Sequence, residues 1–369
     1  MRCINCSTDN TLQDRTDNLG RCKKCGHYFV FEPKMMLSKV TVTDVFFARL
    51  ITKVSANETL FFTSSQLYYL LNMRLQAYVN KNDLATVFLF ALFIIVSLIA
   101  NIDKARIIGT IIIALIGVGG IFYFVGKPRK KRKVSDPLGI DRAQFDRWLA
   151  RWNSINNPPE KLLPIPETNN LPAAPNVEVT AYSFDRVVIC DTPEIAQLLI
   201  SNNFHFENNC AILTIDGYPQ HIFTTTMEML RRNLDLKVYA LHNCSPKGVQ
   251  LASRLRQDEN WFPNLTIPII DVGILPRQII DNLDILTLQS TASAELAQQL
   301  PPDVRNSLNP NELAWLDAGC YLELEFFSPQ KLIRILQRAI SESRELAVIE
   351  GDGMVVVDNF NFYTVDSFG

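Results

Sequence analysis

Two charge-free apolar runs, six residues apart, constrain this chain more than any other feature. Leu84–Ala100 reads LATVFLFALFIIVSLIA and Ile107–Val125 reads IIGTIIIALIGVGGIFYFV. Crossing a hydrocarbon core takes roughly 20 apolar residues, with about 17 as the lower limit, and a helix satisfies its own backbone there. The alternative, a pair of buried core helices in a large domain, is disfavoured by the purity of two consecutive runs. Eighty-three residues precede the first run, so it does not read as a signal peptide. The sequence therefore predicts a transmembrane helix hairpin over 84–126. Arg74 and Lys81 precede it, and Lys127, Arg129, Lys130, Lys131, Arg132 and Lys133 follow it. Positive flanks stay on the cytoplasmic side. The expectation is a multi-pass cell-membrane protein with both termini cytoplasmic, and Lys127–Lys133 resting on anionic lipid heads at about 1 kcal/mol per basic residue.

The formal net charge of −2 hides a division at the same place. Residues 1–135 carry 19 Lys+Arg against 8 Asp+Glu, whereas residues 136–369 carry 17 against 30. Such asymmetry assigns the two parts to different electrostatic surroundings. With 15 Gly and 19 Pro there is no low-complexity bias, and eight cysteines are too sparse for a disulfide scaffold.

The N-terminus holds two metal-binding knuckles, Cys3-Ile-Asn-Cys6 and Cys22-Lys-Lys-Cys25. Each offers two thiolates from one tight turn, and together they make a tetrahedral Cys₄ set at a spacing suited to zinc. Residues 1–35 resemble a zinc ribbon, with Cys25-Gly26-His27-Tyr28-Phe29 as the second knuckle and the strand after it. Four cysteines suffice, so His27 reads as a packed neighbour. A closed Cys₄ site has no open coordination position, which makes it structural. Arg15, Arg21, Lys23 and Lys24 offer charge to nucleic-acid phosphates. A small basic module that recognises a protein, or merely folds the N-terminus, accounts for them equally well. Residues 36–83 read as a connecting segment: a strand-like stretch, then one or two amphipathic helices including Phe61–Val79.

After the basic run, Asp141–Asn153 carries Phe145, Trp148, Leu149 and Trp152 along one helical face. Six prolines between Pro158 and Pro175 then mark a stiff linker, completing a span of 127–176. Residues 177–369 alternate strands (Arg186–Cys190, Ala211–Thr214, Lys237–Leu241, Ile267–Val272) with helices (Thr192–Ser201, Thr225–Leu234, and one through Arg256). That alternation predicts an α/β domain with a mainly parallel sheet, its functional groups near Asp191, Asp216 and His242–Ser245 at the strands' carboxyl ends. Cys190, Cys210, Cys244 and Cys320 read as small core residues, with Cys244 in an exposed turn as a conceivable but unsupported nucleophile. His205, His221 and His242 match no catalytic spacing and read as structural. Glu323 and Glu325 alternate along a strand-like LELEFF run, and a further short strand is expected at Met354–Val357.

The stretches Ile189–Leu199 (ICDTPEIAQLL), Asn202–Pro219 (NNFHFENNCAILTIDGYP), Val238–Gly248 (VYALHNCSPKG) and Ala314–Pro329 (AWLDAGCYLELEFFSP) resemble the Toprim domain of the DNA topoisomerase VI A subunit family. The resemblance implies a Mg²⁺ site made by a Glu after the first strand and an Asp-x-Asp pair after the third. Here those positions are Asp191, Asn243 and Ser245. One carboxylate is a poor site for a hard cation, with Asp216 a doubtful helper. The family's tyrosine-bearing winged-helix domain has no room ahead of the first strand, and the acidic C-terminal part suits duplex DNA badly. The sequence thus predicts a multidomain membrane protein with a Cys₄ zinc ribbon at Cys3, Cys6, Cys22 and Cys25 and a degenerate Toprim-like domain. No catalytic residue is assigned and Mg²⁺ is not expected. Its role would be binding or scaffolding for a protein partner or a small phosphorylated ligand. The alternative is a membrane-tethered nucleic-acid protein with residual nuclease or topoisomerase-type activity around Asp191 and Asp216.

Overall fold

Arg186–Cys190 (β1, RVVIC), Cys210–Thr214 (β2, CAILT) and Lys237–Leu241 (β3, KVYAL) are short runs that are almost wholly buried, the pattern of strands covered on both faces. In a computed structural model, residues 1–31, 42–75, 140–166, 184–232, 236–258, 261–262, 267, 269–280, 287–346 and 355–356 are described. β1 pairs in parallel with both β2 and β3, and β3 with Ile269–Asp271 (β4). Two short antiparallel strands, Leu288–Gln289 (β5) and Cys320–Tyr321 (β6), stand apart. Val355–Val356 (β7) adds to the outer edge of β4, giving the order β2-β1-β3-β4-β7.

Alternation along each strand feeds two cores. Val187 and Ile189 of β1 point to one face, where they join Leu230, Leu251, Leu255 and Trp261 from the helices Gln220–Arg232 and Leu251–Gln257 and the turn beyond. Val188 and Cys190 point to the other, against Ile195 and Leu199 of helix Pro193–Ser201. Pro193 sits in that helix's first turn, where its missing N–H costs nothing.

This second core continues into the N-terminal half. Helix Asp44–Val54, a helical stretch over 64–75 and helix Arg142–Ile155 all contribute to it. Phe31 stacks its ring 5.2 Å from Phe47 and 5.3 Å from Trp148. Side-chain amides stitch the layers: Asn202 accepts from the Phe61 N–H at 2.8 Å, and Gln66 Nε2 donates to the Phe327 carbonyl at 3.0 Å. The apolar face read from Asp141–Asn153 is buried at Phe145, Trp148, Leu149 and Trp152. Residues that read as a connecting segment and the start of a linker thus share a hydrophobic core with the sheet.

The expected fold class, a multidomain membrane protein, is corrected. Among the described residues no helix is long and apolar enough to cross a membrane. The longest, Pro329–Leu346, has 18 residues and its sequence includes Lys331, Arg334 and Arg338, whereas a span needs roughly 20 predominantly apolar ones. What the structure shows is a parallel sheet with helices on both faces, an α/β architecture. The multi-pass placement with both termini cytoplasmic is withdrawn with the fold class. The predicted hairpin (84–100 and 107–125), the run Lys127–Lys133 with its lipid contact, and the proline-rich linker from residue 167 onward lie outside the described residues. A smaller difference concerns LELEFF. Leu324–Phe326 forms a 3₁₀ turn, because the Leu324 N–H is taken by Asn243 Oδ1 and not by a neighbouring strand.

Candidate metal centre and strand-end cleft

Each knuckle closes on itself in the same way. The Ser7 N–H donates to the Cys3 carbonyl at 3.0 Å and the Gly26 N–H to the Cys22 carbonyl at 2.9 Å. Both Ser7 (φ +59°) and Gly26 (φ +70°) sit in the left-handed region, which glycine enters without strain and serine does not. The turns bring the sulfurs of Cys3, Cys6, Cys22 and Cys25 within 4.8 Å of one another, with Cys3–Cys25 at 3.7 Å and Cys6–Cys22 at 3.5 Å. Tetrahedral metal–thiolate bonds of about 2.3 Å require S–S edges of about 3.8 Å, so the donor set fits a metal ion. His27 is not part of the set. Buried Asn10 braces it, donating to Cys22 Sγ at 3.5 Å and accepting from the Lys23 N–H at 2.9 Å. Burial pushes the Cys3 thiol up to about 12. At Cys22 burial is outweighed by the N–H groups of Cys25 and Lys24 and by Asn10, which bring it down to about 6.

The ribbon is fastened to the α/β core by one carboxylate that sequence reading missed. Asp44 is fully buried and accepts the Val30 and Phe31 N–H groups at 3.0 and 3.1 Å. Arg151 adds a bond to the Phe29 carbonyl at 3.3 Å. The available signal was the pair Thr43-Asp44, which also opens helix Asp44–Val54.

The second site lies where the sheet order reverses. β2 stands on one side of β1 and β3 on the other, so the crevice beyond their carboxyl ends is a topological switch point, the usual ligand position in such sheets. Asp191, Asn243 and Ser245 do meet there, as the sequence led one to expect, and Asp216 lines the same cleft. Asp191 Oδ2 accepts the Asn243 N–H at 2.8 Å, while its buried Oδ1 has no partner among the described residues. Burial pushes this carboxyl up to about 6, against the pull of the Asn243 N–H and the His242 charge. Asn243 Oδ1 accepts from the Leu324 N–H at 2.6 Å, and Ser245 Oγ caps helix Pro246–Val249 by accepting the Gly248 N–H at 3.1 Å.

Two groups that the sequence reading named, Glu325 in a strand-like run and His242 as structural, are buried near this crevice. Glu325, 6% exposed, has an Oε2 without a partner among the described residues. Burial first, then the charges of Glu323, Asp191 and Glu194, push it up to about 8. His242, fully buried, lies between the Asn243 carbonyl (Nδ1, 2.8 Å) and Asp271 Oδ1 (Nε2, 3.0 Å). Both ring nitrogens face acceptors, so both carry protons and the ring is an imidazolium. Burial works against that charge, but Asp271 outweighs it and raises the group to about 9. Gly273 permits the arrangement, since a Cβ there would stand 2.3 Å from His242 Cδ2.

The remaining candidates are placed apart or inert. His205 lies on the short helix Phe204–Glu207, outside the cleft, and the side chain of His221 is outside the described residues. Cys244 is fully buried, not exposed, and burial holds its thiol well above its usual value, which removes it as a nucleophile.

Fold and sites together define an α/β protein with four N-terminal cysteines placed closely enough to bind a metal ion. No protein-family model matches the chain, and comparison with curated proteins finds no match.

Proposed function

We propose that the chain is a binding or scaffold protein, with structural zinc held by Cys3, Cys6, Cys22 and Cys25 and a Toprim-like domain that has no catalytic metal site. One observation carries the reading. The side chains at the two positions where a hard cation would need carboxylates are neutral, and their oxygens are committed to the Leu324 and Gly248 N–H groups. Of the three positions Asp191, Asn243 and Ser245, only Asp191 keeps a carboxylate, with Asp216 elsewhere on the cleft wall, and a Mg²⁺ ion wants near-octahedral oxygen coordination that such a pair anchors poorly. Zinc is favoured at the ribbon because thiolates are soft ligands and a closed S₄ tetrahedron suits it.

The test is incubation of the full chain with supercoiled plasmid in Mg²⁺ and in Mn²⁺. The expected result is intact plasmid in both. Nicking or linearisation that disappears in Asp191→Asn would replace this reading with a metal-dependent DNA enzyme.

A further inference from the structure

The strand-end cleft has a volume of about 510 Å³, within the range of small-molecule sites. Its floor is apolar, from Ile215, Leu251 and Leu296. Its polar groups divide by sign. Lys247 and Arg254 stand on the helix side, exposed, with no ion pair among the described residues. Asp191 and Asp216 stand on the β1 and β2 side.

Asn243 lines the same cleft and is 9% exposed. Its Oδ1 is fixed on the Leu324 N–H, which leaves Nδ2 as the amide's remaining hydrogen-bonding group. That donor has no partner among the described residues, and Asn243 lines the cleft. Thr192 Oγ1, buried on the same wall, is likewise unpartnered. It does not cap helix Pro193–Ser201, which leaves the hydroxyl available to a ligand.

We infer that this cleft binds a small phosphate ester bearing free hydroxyl groups, directly and without a divalent cation. The inference rests on the reading of the domain as a binding module. The phosphate is taken by Lys247, Arg254 and the Asn243 amide, since charge-assisted bonds to a phosphate are the strong ones available here. The ligand's hydroxyls donate to Asp191 Oδ1 and Asp216, two acceptors that repel a phosphate and so fix which end of the ligand lies where. An asparagine at this position supplies a donor where a carboxylate would supply an acceptor. The same crevice therefore selects an anion in place of a metal ion.

The test is calorimetric titration of the zinc-loaded, desalted full chain without added Mg²⁺, with ribose 5-phosphate, inorganic phosphate and ribose as probes. A second such sample is run in parallel with Mg²⁺. The inference expects ribose 5-phosphate to bind in the absence of Mg²⁺, inorganic phosphate at least about tenfold more weakly, and ribose weakest. Lys247→Ala and Arg254→Ala, both exposed and compatible with folding, should each weaken ribose 5-phosphate about tenfold. Asp216→Asn should remove the preference for the sugar phosphate over free phosphate. No binding in either sample, or binding indifferent to Lys247 and Arg254, overturns this inference and leaves the binding-module reading standing. Binding that appears only with Mg²⁺ overturns both.

Discussion

Replacing Glu325 by glutamine should stabilise the protein, and by an amount that grows with pH. In the folded chain the Glu325 carboxyl is pushed up to about 8 from 4.5, because it is buried beside Glu323, Asp191 and Glu194. A raised carboxyl makes the folded state hold an extra proton between those two values, so stability falls as pH rises from 4.5 to 8. Each tenfold change in proton activity within that interval is worth about 1.4 kcal/mol. The penalty is therefore near zero at pH 4.5, about 3 kcal/mol at pH 7 and about 5 kcal/mol above pH 8. Glutamine has the same shape and no proton to take up. Urea unfolding of wild type and Glu325→Gln at pH 5, 7 and 9, followed by fluorescence of the buried Trp148, Trp152 and Trp261, measures the difference directly. The gain should be small at pH 5 and several kcal/mol at pH 9. A pH-independent difference, or a loss that deepens with pH, would refute the placement of Glu325 as a buried, unpartnered acid.

The His242–Asp271 pair gives another pH signature. A raised histidine contributes stability that is complete below 6.5 and lost as pH rises through about 9. Asp271→Asn, which strands a buried imidazolium, should cost about 3–5 kcal/mol at pH 6 and flatten stability between pH 6.5 and 9, as read by the same unfolding assay. Ser7→Gly should relieve a left-handed residue and stabilise the first knuckle by about 1 kcal/mol, measurable as slower loss of metal to a chelator. Asp44→Ala should unfasten the ribbon, costing about 3 kcal/mol for two N–H groups left unsatisfied. Hydrogen exchange would then quicken at Val30 and Phe31 while β1 and β3 stay protected.

The parts legible in sequence were those governed by local pattern. Buried runs marked β1 and β3 over the residues observed, and β2 and β4 to within two, because strands buried on both faces are continuous apolar stretches. The paired CxxC spacing marked the candidate metal ligands for a chemical reason, and the cysteines converge closely enough to hold an ion. Helix Gln220–Arg232 begins five residues before the expected Thr225 and takes in Ile222 and Phe223, which pack against the same core as Met227 and Leu230. What was missed depends on contacts far apart in the chain. Asp44 anchors a ribbon 13 residues away, Asn243 captures Leu324 across 81 residues, and His242 meets Asp271 across 29. Periodicity carries no trace of such pairs. The apolar runs at 84–100 and 107–125 dominated the reading of class, yet the described helices are short and amphipathic, and their layer packs on the sheet.

The central claim is that, of the three positions Asp191, Asn243 and Ser245, only Asp191 is a carboxylate, the other two being neutral with their oxygens tied to backbone N–H groups. Titration of the zinc-loaded full chain with Mn²⁺, followed by electron paramagnetic resonance, addresses it most directly. The account predicts no Asp191-dependent Mn²⁺ site with a dissociation constant below about 1 mM, the weak end for carboxylate sites. One Mn²⁺ bound per chain more tightly than that, and lost in Asp191→Asn, would contradict it.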